Sequence, residues 1–323
     1  MQSLSVPRNA SALSVVVVAN LFMFFFMQSQ GIKAVFGAAV TTTVLASLFC
    51  WNTLFDGLKI RTEKSLSVKT VFLGVFPVVN LFYHWSQTVV DLFAILLTSV
   101  QVFAPLYLAS VSKRLEDGVL FDLAAIFFLY IIPSNFSEIL WIASDGTPVE
   151  GFGFVVSIVA GVVIFKDSVI ESRGLPLALN KVDLSGSVMI VGCAAAFYVL
   201  WGALFKGGLT PATAFNWQQV LPFGWCGYLL SAVFIEFIYR ALFLNWALKI
   251  SRSLSFSVFF SALVYGMLES GYLESGDTRA LAAAVVFGIC SGLAYIKLGS
   301  LTVGILAHTG FVMILAALRS GAG

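Results

Sequence analysis

Charge is what this chain has least of. Asp, Glu, Lys and Arg make up 11 % of its 323 residues, against about 25 % in soluble domains. Apolar residues reach 59 %, with 31 phenylalanines. That balance excludes a soluble fold, whose exterior would need far more polar cover. Cysteine is scarce too. Cys50, Cys193, Cys226 and Cys290 all fall in apolar runs and form no C-x-x-C pair. They read as small packing residues, not as a disulfide framework or metal ligands. No basic patch with interleaved aromatics accompanies the net charge of +2, so nucleic acid is not an expected partner. Alternating strand patterns of the outer-membrane type are missing. So are internal repeats and low-complexity linkers. The apolar run after Arg8 ends in Gln28-Ser29-Gln30 without a small-x-small site, which predicts a retained helix and not a cleaved signal peptide.

Long charge-free runs are what the chain does have. Several reach about 20 residues, the length at which a helix crosses hydrocarbon. They predict spans at 11–29, 34–55, 70–86, 90–111, 119–144, 151–166, 184–205, 219–249, 253–269, 280–297 and 300–318. Pro133 is expected to break the fifth, and 151–166 is short, so about nine to eleven transmembrane helices follow. Threading the chain with its N-terminus inside puts Arg8, Lys59, Arg61, Lys64, Lys69, Lys113 and Arg114 on the inner side. Lys166, Arg173, Lys181, Lys249, Arg252 and Lys297 join them, leaving Lys33, Lys206, Arg279 and Arg319 outside. This asymmetry follows the positive-inside rule. It predicts a multi-pass protein of a plasma or bacterial inner membrane with a cytoplasmic N-terminus. The charged stretch 167–183 reads as an interfacial inner loop. It would divide an N-terminal helical extension, 1–166, from a C-terminal helical domain, 184–323.

Ionisable residues inside spans are costly and mark polar contacts or function. In the first half, Asp91 and Asp122 fall near predicted span ends, and His84 sits between Tyr83 and Trp85 in an aromatic-belt pattern. Glu138 follows the Pro133 break without an evident partner. The early helices thus read as apolar packing with charges at their rims. The second half differs. Glu236 and Arg240 stand four residues apart, on one helix face where they can pair. Glu269 ends the next span and His308 lies within the last. One reading is a buried ion pair with a hydrogen-bonded histidine that locks helix packing. The other is a polar cavity that binds or does chemistry.

Those residues carry a family resemblance. Ile235-Glu236-x-x-x-Arg240, Tyr265-x-x-x-Glu269 and His308-x-x-x-Val312, with the stretch F-G-I-C-S-G-L-A-Y-I-K-L-G-S-L-T-V-G-I-L-A-H at 287–308, resemble the CPBP family. Its members include the CAAX proteases and the bacteriocin-processing or Abi enzymes. The resemblance spans roughly 184–318. It implies an all-α polytopic membrane protein with a CPBP-like C-terminal bundle and an intramembrane endopeptidase ancestry. The family's motifs are Glu-Glu-x-x-x-Arg, Phe-x-x-x-His and His-x-x-x-Asn or Asp. In them the first Glu activates water, while the two His and the Asn hold that water and the oxyanion. Here Ile235, Glu269 and Val312 occupy three of those four positions, and only His308 matches.

Two functions follow. A degenerate protease fold would bind a membrane protein or peptide, with Glu236–Arg240 as its clamp. Alternatively, a rewired peptidase would use Glu236 or Glu269 as general base and His308 to hold water or the oxyanion. The catalytic candidates are therefore Glu236, Arg240, Glu269 and His308. No cofactor is implied. A metal held by Glu236, Glu269 and His308 has acceptable ligands but no H-E-x-x-H spacing. A transporter reading rests on the spans alone and lacks paired broken helices.

Overall fold

The computed structural model describes residues 66–86, 92–115, 118–140, 151–165, 181–204, 225–270, 273, 276 and 278–319. Among them every long element is helical and no strand occurs. Hydrocarbon demands this, because each backbone N–H and C=O must be bonded within its own segment. The protein is an all-α membrane protein. The expected spans at 11–29 and 34–55 lie outside the described residues, and each of the later nine corresponds to a helix. Among the described residues four stretches are long and apolar enough to cross a membrane: Leu92–Ser112, Val119–Phe136, Ser231–Ser251 and Thr278–Leu298. The chain forms two compact units, Met1–Ser168 and Val169–Gly323.

In the first unit, α1 (Leu66–Ser86), α2 (Leu92–Ser112), α3 (Val119–Leu140) and α4 (Gly151–Phe165) pack around α2, which touches the other three. The break expected at Pro133 falls elsewhere. The helix runs through the proline and leaves helical geometry at Phe136, with φ −125° and ψ 17°. Proline lacks an N–H and crowds the carbonyl one turn back, a defect that neighbouring helices can accommodate within a membrane.

The expectation of apolar packing is corrected here by neutral polar side chains, while Lys69, His84 and Asp122 keep to the helix ends as expected. Asn80, Thr98, Gln101 and Ser157 are all fully buried. Asn80 Nδ2 donates to Thr98 Oγ1 at 2.9 Å. Gln101 Nε2 donates to the Gly153 carbonyl and to Ser157 Oγ, each at 2.7 Å. Lys69, His84 and Asp122 are buried as well. Neutral amides and hydroxyls bridge membrane helices without adding charge, which is why a search for charges passes over them. Asp91 and the Glu138 side chain lie outside the described residues.

The second unit holds α5 (Lys181–Leu204), α6, α7 (Leu254–Glu269), α8 (Thr278–Leu298) and α9 (Leu301–Arg319). Lys181–Asp183, expected in the interfacial loop, instead open α5, and the rest of 167–183 lies outside the described residues. Helix α6 changes character along its length: α-helical over Trp225–Glu236, π-helical over Phe237–Leu244 and α-helical again over Asn245–Ser251. A two-residue turn through Arg252, at φ 53°, and Ser253 reverses the chain into α7. There the Ser253 side chain caps the Phe256 N–H. Gly299, at φ 64°, ends α8. Its N–H donates to the Tyr295 carbonyl at 2.9 Å, a left-handed helix stop suited to glycine.

Packing follows small residues. Lipid is as apolar as a leucine, so membrane helices associate through close approach more than through hydrophobic burial. Helix α8 buries Ala280, Ala283, Ala284, Phe287, Gly288, Ser291, Gly292 and Tyr295, a stripe at helical spacing. A Cβ at Gly288 would sit 2.9 Å from both Cα and Cβ of Ala262 on α7. Helix α8 packs on α7 and α5, and α9 packs on α5 and the first part of α6. These contacts bring α6, α8 and α9 together.

Candidate functional site

Glu236 ends the α-helical start of α6, and Arg240 lies inside the π segment. Both are 0 % exposed. Arg240 Nε lies 3.3 Å from Glu236 Oε2, the pairing that the four-residue spacing predicts. Ser291 on α8 donates from Oγ to the same carboxylate oxygen at 2.7 Å and accepts from Arg240 Nε at 3.3 Å. On α9, His308 is 4 % exposed, and its Nδ1 lies 3.3 Å from Glu236 Oε1. Three helices thus converge on one carboxylate.

The proton inventory fixes the imidazole. A carboxylate paired with a guanidinium only accepts, so Nδ1 of His308 carries the proton that it donates. In the neutral ring Nε2 is then the lone-pair nitrogen. The ring is held edge-to-face by Tyr265 at 5.7 Å and Phe287 at 5.5 Å. Phe287 stacks in turn on Phe311 at 5.1 Å. Such a frame fixes ring orientation with apolar walls.

Arg240 has further partners. Nη1 donates to Ser261 Oγ on α7 at 3.3 Å, and its guanidinium carbon lies 5.2 Å from the Tyr265 ring centroid, within cation–π range. Nη2 is buried without a hydrogen-bond partner among the described residues. Gly304 on α9 is required by this geometry. A Cβ there would overlap Glu236 Oε2 and approach Ser291 Oγ to 2.8 Å, so only glycine lets the carboxylate lie against the α9 backbone.

Glu269 reaches the cluster by a different route. Tyr239 Oη donates to Glu269 Oε1 at 3.2 Å, and Tyr239 packs edge-to-face on Tyr265 at 5.4 Å. The structure therefore brings Glu236, Arg240 and His308 into direct contact and joins Glu269 to them through Tyr239. Ile235 is buried, and the Val312 side chain lies outside the described residues. Among the described residues no group of three His, Cys, Asp or Glu side chains is arranged to hold a metal; Glu236 and His308 would supply two ligands. Ser291, Ser261, Tyr239 and Gly304 were missed by reading the sequence for charges. Hydroxyls recurring inside apolar helices opposite a buried arginine are the signal that points to them.

The buried cluster brings together Glu236, Arg240 and His308, residues on which the resemblance to the CAAX proteases rests. The specific match agrees: residues 216–314 fit the family described as type II CAAX prenyl endopeptidase Rce1-like, of the CPBP family. The match takes in Glu236, Arg240, Glu269 and His308 and leaves residues 1–215 outside it. No curated protein and no solved structure matches the chain.

Proposed function

We propose that this CPBP-type membrane protein is a degenerate protease that binds a membrane protein or peptide partner without cleaving it. One observation carries the reading. The Glu236 carboxylate has both oxygens engaged, by Ser291, Arg240 and His308, at 0 % exposure. A general base must reach the proton that it abstracts, directly or through one water, and this carboxylate is closed in as a clamp. Ile235, where the family carries its water-activating Glu, can neither accept nor donate a proton.

A second reading keeps hydrolysis. The 3.3 Å contact from His308 Nδ1 to Glu236 leaves Nε2 as a lone pair on an oriented ring, the arrangement of a carboxylate-steered base. In that case Glu236 orients, His308 takes the proton from water, and the prenyl-endopeptidase chemistry of the family name is retained. Full-length Glu236→Gln, Glu269→Gln and His308→Gln, confirmed folded by gel filtration, separate the readings in cells co-expressing candidate membrane proteins. Unchanged processing in all three, with partner co-purification weakened in His308→Gln, is the expected result. Loss of cleavage in folded His308→Gln would establish the peptidase instead.

A further inference from the structure

The π segment of α6 is eight residues long, Phe237–Leu244, and every one of them is buried. π-Helix is rare, occurs mostly as single turns inside α-helices and concentrates at functional sites. Nothing in the composition of F-I-Y-R-A-L-F-L asks for it, so neighbouring groups must hold it in place. Two side chains bond its carbonyls. Ser261 on α7 donates from Oγ to the Tyr239 carbonyl at 3.0 Å. Asn245 donates from Nδ2 to the Ala241 carbonyl at 3.0 Å and to Tyr295 Oη on α8, also at 3.0 Å.

The Asn245 bond falls where the backbone departs from α-helical bonding. In an α-helix the Ala241 carbonyl would accept the Asn245 backbone N–H, four residues on. That N–H goes instead to the Leu242 carbonyl, and the Asn245 side-chain amide bonds the Ala241 carbonyl. Ser261 is equally specific. Its single proton goes to the Tyr239 carbonyl, while its oxygen accepts from Arg240 Nη1 at 3.3 Å. One hydroxyl therefore holds both the backbone of the π segment and the arginine that the segment carries.

We infer that Ser261 and Asn245 are positioning residues that fix the π form of α6 and thereby aim Arg240 at Glu236 and Ser291. Neither side chain contacts Glu236 or His308 in the hydrogen-bond network; Asn245 acts through the backbone register of 237–244, and Ser261 acts both through that register and through its direct bond to Arg240 Nη1. A return to α-helical bonding would rotate Arg240 relative to Glu236, which lies before the π segment, and would loosen the Glu236 carboxylate against His308. The inference deepens the proposed function, because it rests on the Glu236–Arg240–His308 cluster being the working site.

The experiment uses the full chain in detergent micelles. A double-mutant cycle of Glu236→Gln and Arg240→Gln, read by SDS titration of folding, gives their coupling, expected on the order of a hundredfold in the folding equilibrium. Selective ¹⁵N-histidine labelling reports the His308 ring, and only two histidines are present, so a His84→Gln control assigns the signals. In Ser261→Ala and in Asn245→Ser the coupling is expected to fall below about twofold and the His308 resonances to move. Ser261→Thr, which keeps the hydroxyl, should restore both. Ser257→Ala removes an equally buried hydroxyl near the start of α7, bonded to the Ser253 carbonyl, and should leave both unchanged. If one of the two lock variants does not fold, the other carries the test. Full coupling and unmoved resonances in either folded lock variant overturn the inference, as do Ser257→Ala changes of the same size. Coupling lost in the lock variants while partner capture persists supports the inference and counts against the binding reading of the site.

Discussion

Glu236 sets the electrostatics of the second unit, because one fully buried carboxylate faces one fully buried guanidinium with a histidine beside it. Removing one member of such a pair leaves an uncompensated charge, at a cost of about 3–5 kcal/mol, whereas exchanging both for apolar groups of similar volume is often neutral. Glu236→Gln alone is therefore expected to lower folding stability by that amount, and Glu236→Leu with Arg240→Met to recover most of it. SDS titration of the purified variants measures both. A double variant as unstable as the single one would show that the pair is not what Glu236 supplies. At this scale the sequence was legible where spacing or charge spoke: Glu236 and Arg240 by their helical interval, His308 by its motif. Ser291 and Ser261 were not, since a hydroxyl in an apolar helix has no sequence mark until a neighbouring arginine is seen to need it.

Helices α7 and α8 illustrate the element scale, where contact is governed by what is absent from the interface. A Cβ at Gly288 would meet Ala262 at 2.9 Å and Tyr265 Cδ1 at 3.3 Å, so an added methyl must push two helix backbones apart near the ring that flanks His308. Gly288→Ala is expected to destabilise by about 1–3 kcal/mol, the usual cost of overpacking. Gly192→Ala on α5 meets nothing within 4 Å and should be neutral. Equal loss in both variants, measured by the same titration, would mean that glycine content and not the α7–α8 approach sets the cost. Existence and order of the described helices followed from apolar runs alone. The π segment did not, because the i→i+5 pattern carries no composition of its own and is imposed by Ser261 on α7 and by Asn245 just past its end. The Phe136 distortion was likewise displaced from the proline that announces it, since neighbouring contacts decide where a defective turn opens.

For the whole molecule, the division into two compact units puts the Glu–Arg–His cluster wholly in the second, within the part matched by the family. The first unit is polar inside as well, but through neutral Asn80, Thr98, Gln101 and Ser157, a network that hydropathy reading passes over because amides interrupt no span. Orientation in the membrane is a separate property, governed by the lysines and arginines of the loops. With the N-terminus inside, the turn after α2 and the end of α6 face the cytoplasm, and the start of α8 faces out. Single cysteines at Leu115, Ile250 and Thr278, all exposed, test this in a chain whose own four cysteines are replaced by alanine, without removing any loop charge. A membrane-impermeant maleimide applied to intact cells should label Thr278→Cys at once, and Leu115→Cys and Ile250→Cys only after permeabilisation. The reverse pattern would invert the topology and place the inner loop charges against the rule. Labelling of Ile250 with Thr278 from the same side would mean that α7 returns without crossing, and the second unit would then lose a span.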